Sequence, residues 1–383
     1  MDKVRLGIIG IGNMGSSHTK SIMAGKVEGM VLGAVADINP DKLKWMEETY
    51  PEVARFSDAS EMMDSGLIDA VLVATPHYFH PTYVMEALGK GLHAISEKPA
   101  GVYTKAVREM NEFAAKQDKV FAIMFNQRTN CVYRKMKEII DSGEMGAIRR
   151  VNWIITDWYR SQSYYDSGAW RATWAGEGGG VLLNQCPHNL DLLQWICGMP
   201  SSVRAFTHNG KWHDIEVEDD VTAYMEYPNG ATGVFITTTG DCPGTNRFEV
   251  TLDSGKLVCD GKKLIQYKLE MPEPEFSATY KGGFGTPKGE EIEVETDGKN
   301  PQHNEVLRAF AANILKGEPL VAPGCEGING LTLSNAMHLS SWTGETVNLP
   351  IDEDRFLEEL NKRRATSRHK EAASVTLNTE GTY

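Results

Sequence analysis

The first third of the chain alternates short apolar runs with stretches of helical periodicity. VRLGIIG, MVLGAVAD, IDAVLVATP, LHAISEKP and KVFAIMF are each rich in Val, Ile, Leu and Ala and end within a few residues of a glycine, proline or charge. Runs that short and that apolar predict strands covered on both faces, as in a parallel sheet. Between them the pattern predicts helices at 15–24, 41–49, 59–63, 81–89 and 104–116. Strand and helix in alternation imply a doubly wound α/β sheet.

After about Asn126 the pattern changes. A helix is predicted over 132–141, followed by strands that alternate in polarity and carry more aromatics: IRRVNWIITDWY, DVTAYMEYP, ATGVFITTT, FEVTLD, KLVCDG and KKLIQYKLE. Such strands predict a mostly antiparallel sheet with one face inward. Helical periodicity returns at 303–316 and 326–342, and 271–300, rich in Pro, Gly and Glu, is expected to be a surface excursion. The division expected is 1–126 for the first domain, 127–362 for an α/β domain that binds substrate and forms oligomers, and 363–383 for a polar tail, mobile or clasping a neighbouring subunit. A sheet with helices on one side needs cover on the other, so a homodimer or homotetramer through the second sheet is expected.

Composition narrows the class of partner. The chain has 383 residues, enough for two cores, with 41% hydrophobic and 24% charged residues, as in ordinary globular proteins. A formal net charge of −13 with no basic run argues against nucleic acid as a partner. Charges interrupt every apolar stretch before the roughly 20 residues of a membrane span. The start runs straight into a glycine motif without the pattern of a signal peptide. Six cysteines with no CxxC spacing read as reduced thiols, buried like small hydrophobes, in a cytoplasmic protein. No HExxH or Cys/His cluster is present, and no metal is expected.

The first chemical motif is Gly10-Ile11-Gly12-Asn13-Met14-Gly15, a GxGxxG between a predicted strand and a predicted helix. Gly10 allows the tight turn, Gly12 lets a pyrophosphate approach the backbone, and Gly15 lets helix and strand pack closely. Asp37 ends the next strand, where a carboxylate accepts hydrogen bonds from ribose hydroxyls and repels a 2′-phosphate, so NAD is the expected cofactor. The first domain is therefore expected to be a Rossmann domain. Thr75-Pro76-His77 with His80, and Ser96-Glu97-Lys98-Pro99, follow two further strands. Ligands of open α/β sheets bind at those strand ends. Thr75, Pro76, His77, His80, Glu97, Lys98 and Gln127 join the expected cofactor site, and Lys98 is also placed to stabilise a developing alkoxide.

A third constellation runs from Gly178-Gly179-Gly180 through Asn184 to Pro187-His188-Asn189-Leu190-Asp191. Proline in a first turn and Gly198 at the end predict a helix from Pro187, with His188 at its positive end, where a neutral, base-competent ring is favoured. Asn184 and Asp191 lie near it in sequence, and Tyr159, Trp170 and Arg171 supply ring faces and a cation for a sugar-like ligand. Lys98, His188 and Asn184 are the expected catalytic residues. Asn126, Tyr159, Trp170, Arg171 and Asp191 are expected to join them in binding substrate.

GIGNMG, ATPHYFH, SEKP, the GGG-to-HNLD stretch, QHNEVLRAF and LSSWTGETVNLP together resemble the glucose-fructose oxidoreductase, inositol dehydrogenase and MocA family of sugar and polyol dehydrogenases. The resemblance implies a Rossmann domain joined to an α/β domain whose sheet mediates oligomers, with Lys98 as the lysine of an EKP motif, His188 as the acid/base and Asp191 against substrate. Two positions depart from the family's usual pattern: Asn184 stands where an aspartate is common, and His77 where an asparagine is. An amide accepts no proton, so a carboxylate relay through position 184 is unavailable and Asn184 is expected to orient substrate or Lys98. The activity implied is hydride transfer between NAD and a sugar, polyol or glycoside hydroxyl. The alternatives are redox-neutral glycoside cleavage or elimination through a transient keto-sugar, and a non-catalytic sugar and NAD sensor.

Overall fold

The computed structural model describes residues 2–370. The chain forms two compact units, one ending at Thr129 and taking in Pro301–Leu331, the other running over Asn130–Asn300 and resuming at Thr332.

The first unit is built on six parallel strands: β1 (Val4–Ile9), β2 (Met30–Ala36), β3 (Ala54–Phe56), β4 (Ala70–Val73), β5 (His93–Ser96) and β6 (Phe121–Ile123). They lie in the order β3-β2-β1-β4-β5-β6. The order reverses between β1 and β4, and that is the point where such sheets open a crevice at their carboxyl ends. Helices Asn13–Met23, Pro40–Thr49, Ala59–Asp64, His80–Gly89 and Thr104–Ala114 connect the strands. β3 was not among the predicted strands because its three residues sit half-buried at the sheet edge and make no apolar run.

The expected domain division differs from these units in one large respect. The helix Gln302–Lys316, expected in the second domain, buries Val306, Leu307, Phe310 and Ala311 in one core with Val4, Leu6, Ile8, Ile95 and Met124 of the first unit. An apolar helix stripe is stabilised wherever it leaves water, whatever its place along the chain.

The second unit carries β7 (Ile148–Ile155), β8 (Ser202–Asn209), β9 (Glu218–Glu226), β10 (Thr232–Thr238), β11 (Asn246–Leu252), β12 (Gly255–Cys259), β13 (Leu264–Leu269), β14 (Gly289–Glu293) and β15 (Val347–Asn348). These form one nine-stranded sheet in the order β14-β13-β12-β11-β7-β10-β9-β8-β15. Every pairing is antiparallel except β10 with β7. Val151, Trp153 and Ile155 on β7 and Val221, Ala223 and Met225 on β9 point inward. Trp153 stacks on Phe248 with ring centroids 4.2 Å apart and meets Phe235 edge-on.

Three strands of this sheet, β8, β14 and β15, and the helix Glu353–Ala365 were not predicted. That helix buries only Phe356 and Leu360, an i,i+4 pair too sparse to stand out in a polar sequence. Beyond it, Ser367 Oγ accepts from Ala175 N at 3.0 Å, Arg368 N donates to Glu216 at 2.7 Å, and Lys370 Nζ donates to Tyr165 O. The first part of the expected tail thus lies against its own unit, while its remainder, 371–383, falls outside the described residues. The excursion at 271–300 contains a helix, Glu273–Thr279, with no buried residue, besides β14. Cys131, Cys186 and Cys259 are buried as expected of small hydrophobes, but Cys242 and Cys325 are exposed.

Candidate active site

In the first unit the glycine motif turns the chain from β1 into the helix Asn13–Met23. Gly10 has φ +89°, and a Cβ there would lie 2.7 Å from the Ala74 carbonyl oxygen. A Cβ on Gly15 would fall 1.9 Å from the Gly10 oxygen, so glycine is required for helix and strand to close. Gly12 is the N-cap, no side chain caps the helix, and a Cβ at Gly12 would meet only open space. An uncapped helix start with open space before it suits a pyrophosphate, with Asn13 and Met14 in its first turn. Asp37, just after β2, accepts from Ile11 N at 2.6 Å and from Asn39 N at 2.8 Å, which fixes its carboxylate beside the glycine turn. Its neighbour Ile38 is 90% exposed. The motif therefore fits an NAD pyrophosphate and its ribose.

Behind β4 and β5 the expected residues are joined by a buried polar frame. The His80 ring bonds the carbonyls of Thr75 at 2.8 Å and Pro99 at 2.7 Å, tying together the turns that carry Thr75-Pro76 and Lys98-Pro99. Burial pushes the pKa of His80 down, and the bonds to the Pro99 and Thr75 carbonyls oppose that shift. With its ring so occupied, His80 holds these two turns together. His77 is buried and packs edge-on against His80.

Glu97 is buried and accepts from His18 Nε2 at 2.6 Å. Burial alone would raise its pKa, but the His18 hydrogen bond and the nearby charges of His18, His303 and Lys98 prevail and lower it to about 2. Lys98, half-buried, therefore follows a carboxylate that stays ionised. His303 is pushed down to about 4, chiefly by burial, with Glu97 opposing and His18 and Lys98 assisting. Gln302 Oε1 accepts from Asn126 Nδ2 and, at 3.3 Å, from Gln127 Nε2. Asn126 and Gln127 are thereby held by a segment about 175 residues distant in sequence. His18, Gln302 and His303 were not among the expected site residues. His18 stands one helical turn after Gly15, and Gln302-His303 opens the QHNEVLRAF stretch, so both had a sequence signal.

In the second unit the glycine run passes against the start of β9. A Cβ on Gly180 would lie 1.9 Å from the Glu218 carbonyl oxygen, and the Glu218 carboxylate accepts from Gly180 N at 2.9 Å and Leu182 N at 3.0 Å. This seating delivers Asn184 and then the helix Pro187–Cys197, with His188 buried in its first turn. Asn189 beside it accepts from Trp158 Nε1 at 3.0 Å, and buried Asp191 accepts from Gln194 Nε2 at 3.0 Å. Arg171 lies over the rings of Tyr164 and Trp170 and donates to the Tyr164 hydroxyl at 2.9 Å. Gln185 donates to the same hydroxyl at 3.2 Å. Arg171 and Gln185, the residue after Asn184, thus share the Tyr164 hydroxyl, whereas the Tyr159 side chain is half exposed. Asn184 Nδ2 donates to Glu177, a buried acid that sequence reasoning passed over although it directly precedes the glycines.

Fold and site define a Rossmann-type oxidoreductase with a second, sheet-based domain. Residues 4–125 match the model of an oxidoreductase family with an NAD-binding Rossmann fold, and 133–258 match the GFO/IDH/MocA C-terminal domain. The chain belongs to the glucose-fructose oxidoreductase, inositol dehydrogenase and MocA family and is an NAD-binding oxidoreductase. It is 24% identical over 354 residues to myo-inositol 2-dehydrogenase of Thermotoga maritima, covering 90% of this chain and 98% of that one. It is 26% identical to D-glucoside 3-dehydrogenase of Escherichia coli over 59% of this chain and 68% of the relative. The WlbA dehydrogenase of Bordetella pertussis, solved with NADH and UDP-GlcNAcA, superposes with a TM-score of 0.77 at 26% identity, covering 91% of this chain and 100% of that one.

Proposed function

We propose that this protein transfers a hydride between NAD and a secondary alcohol of a sugar, an inositol-like polyol or a glycoside. The observation that carries the reading is Lys98 at the carboxyl end of β5, directly after a buried Glu97 whose pKa is lowered by the His18 hydrogen bond, in the same sheet whose β1 leads into a glycine turn that fits a dinucleotide. The inositol and glucoside substrates in the names of two relatives support the same substrate class.

Bound NAD supplies the hydride acceptor. Lys98 stabilises the alkoxide that develops as the hydroxyl proton leaves, and the residue before it, Glu97, stays ionised. His188 accepts that proton on a ring nitrogen, at a helix start that favours the neutral ring before reaction. Asn126, Asn184 and Asp191 hold substrate hydroxyls, while Trp170, Arg171 and the exposed Tyr159 contact the sugar body.

The test is a panel of myo-inositol, D-glucose and methyl β-D-glucoside with NAD, following reduced nicotinamide and carbonyl product together. One reduced cofactor per carbonyl formed supports the reading. Product without reduced nicotinamide would assign redox-neutral chemistry instead.

The reading extends to assembly. Ile154, Phe206, Tyr224 and Tyr267 are 37%, 54%, 42% and 39% exposed on β7, β8, β9 and β13, and we propose that a second copy covers this sheet in a homodimer or homotetramer. Sedimentation of wild type and Phe206→Glu tests this: a smaller species for the variant supports it, and a monomeric wild type contradicts it.

A further inference from the structure

Glu177 is 1% exposed, and both its oxygens are committed. One accepts from Ala172 N at 2.6 Å and the other from Asn184 Nδ2. Ala172 has φ +54°, in the left-handed region that non-glycine residues adopt only when their surroundings fix them there. The loop is further wound by the bonds of Glu177 N and Gly178 N to the Thr173 carbonyl, at 2.9 Å and 3.0 Å. This is a rigid mount for a carboxylate, and the group it faces is the amide of Asn184.

An ionised carboxylate only accepts hydrogen bonds, whereas an amide has one donating and one accepting end. While Glu177 is ionised it therefore selects one of the two amide orientations, with NH2 toward itself. We propose that Glu177 is a positioning residue: its buried carboxylate fixes the Asn184 amide so that the carbonyl oxygen is the end offered to a substrate hydroxyl. The inference rests on the sugar-alcohol reading for its substrate and on the second unit alone for its geometry. A protonated Glu177 carries a donor of its own and no longer enforces that orientation.

The charges around Glu177 determine when this happens. Burial raises its pKa, Arg171 opposes the rise, the bonds from Ala172 and Asn184 oppose it further, and Glu218 adds to it. The Tyr165 phenol also feels the charge of Glu177. The acid limb of kcat/KM is then expected above the ordinary carboxylate range.

The experiment combines melting curves with pH profiles for wild type, Glu177→Gln, Asn184→Asp and the double variant, from about pH 5 to about pH 8. NADH binding serves as a check that the other unit is intact. Asn184→Asp places two carboxylates together and is expected to lower the melting midpoint by about 4 °C or more near neutral pH, with recovery on acidification. The double variant restores one carboxylate and one amide and regains most of the loss. In turnover of whichever alcohol of the panel is oxidised, Glu177→Gln lowers kcat/KM by about tenfold and changes the acid limb to the one that His188 alone gives. Single variants whose melting effects simply add in the double would overturn the pairing. An unchanged acid limb in Glu177→Gln would overturn the positioning role. If no alcohol turns over, the functional reading fails separately, and the melting cycle still decides the pair.

Discussion

The protein buries a carboxylate beside each group of expected catalytic residues, and the two are treated in opposite ways. Glu97 faces His18 and lies near Lys98, and its pKa is lowered to about 2. Glu177 faces a backbone N–H and an amide, and burial raises its pKa although Arg171 lies near enough to oppose it. Both side chains are almost fully removed from water, so burial does not separate them. The His18 hydrogen bond and the nearby charges offset desolvation in the first case, and the neutral donors Ala172 N and the Asn184 amide fail to do so in the second. Glu97 is thus held ionised, whereas the Glu177 carboxyl beside Asn184 is shifted toward its protonated form.

The largest test removes one expected catalytic residue from each group. His188→Ala and Lys98→Ala are each expected to lower kcat by about a hundredfold or more, with Lys98→Ala at least as damaging. NAD affinity of His188→Ala should stay near wild type, and near-normal turnover in that variant would move the search for a base to Lys98 or to the 159–174 segment. Next in size, Phe310→Ala should cost about 3–5 kcal/mol in denaturant unfolding, because its ring is fully buried in the core shared with β1. A surface-like loss below about 1 kcal/mol would remove the Gln302–Lys316 helix from that core.

Glu97→Gln should cost about 2 kcal/mol near neutral pH, the usual size for losing a buried hydrogen bond to a charged group. The pH dependence sharpens the contrast. The folded pKa of Glu97 lies below its ordinary value of 4.5, so its stabilisation is present above that pH and is lost as pH falls toward about 2. The folded pKa of Glu177 lies above its ordinary value, so its ionisation costs stability at high pH, and the cost disappears on acidification. Relative to wild type, Glu97→Gln should therefore recover on acidification and Glu177→Gln should worsen. Parallel slopes would erase the distinction between the two acids.

Much of this contrast was hidden in the sequence for a physical reason. The GxGxxG, Asp37, Lys98 and His188 were legible because each belongs to a local motif at the end of a strand or the start of a helix. The partners of Glu97 come from elsewhere: His18 lies 79 residues away, and His303 much farther along the chain. The helix Gln302–Lys316 read correctly as a helix, but only packing reveals which core takes its apolar face. Asn184 was read as having lost a carboxylate, and Glu177 supplies one seven residues earlier through a loop whose winding no periodicity encodes. The short β3 and β15 and the sparsely anchored helix Glu353–Ala365 escaped notice because their burial involves few side chains.

A smaller effect is expected at the cofactor's ribose. Asp37→Ser with Ile38→Arg should shift preference from NAD toward NADP on the order of tenfold, since a carboxylate that repels a 2′-phosphate is replaced by a cation that binds it. Tighter binding of NADP than NAD by the unaltered protein would contradict the role given to Asp37.

Hydride transfer itself is tested most directly by isotope. An alcohol from the panel, carrying deuterium on the carbon to be oxidised, is incubated with the protein and NAD, and the cofactor and product are weighed by mass spectrometry. Deuterium in the reduced nicotinamide, one per carbonyl formed, is the predicted result. A product formed while the nicotinamide pool gains no reduced, labelled cofactor would contradict the proposed net oxidation.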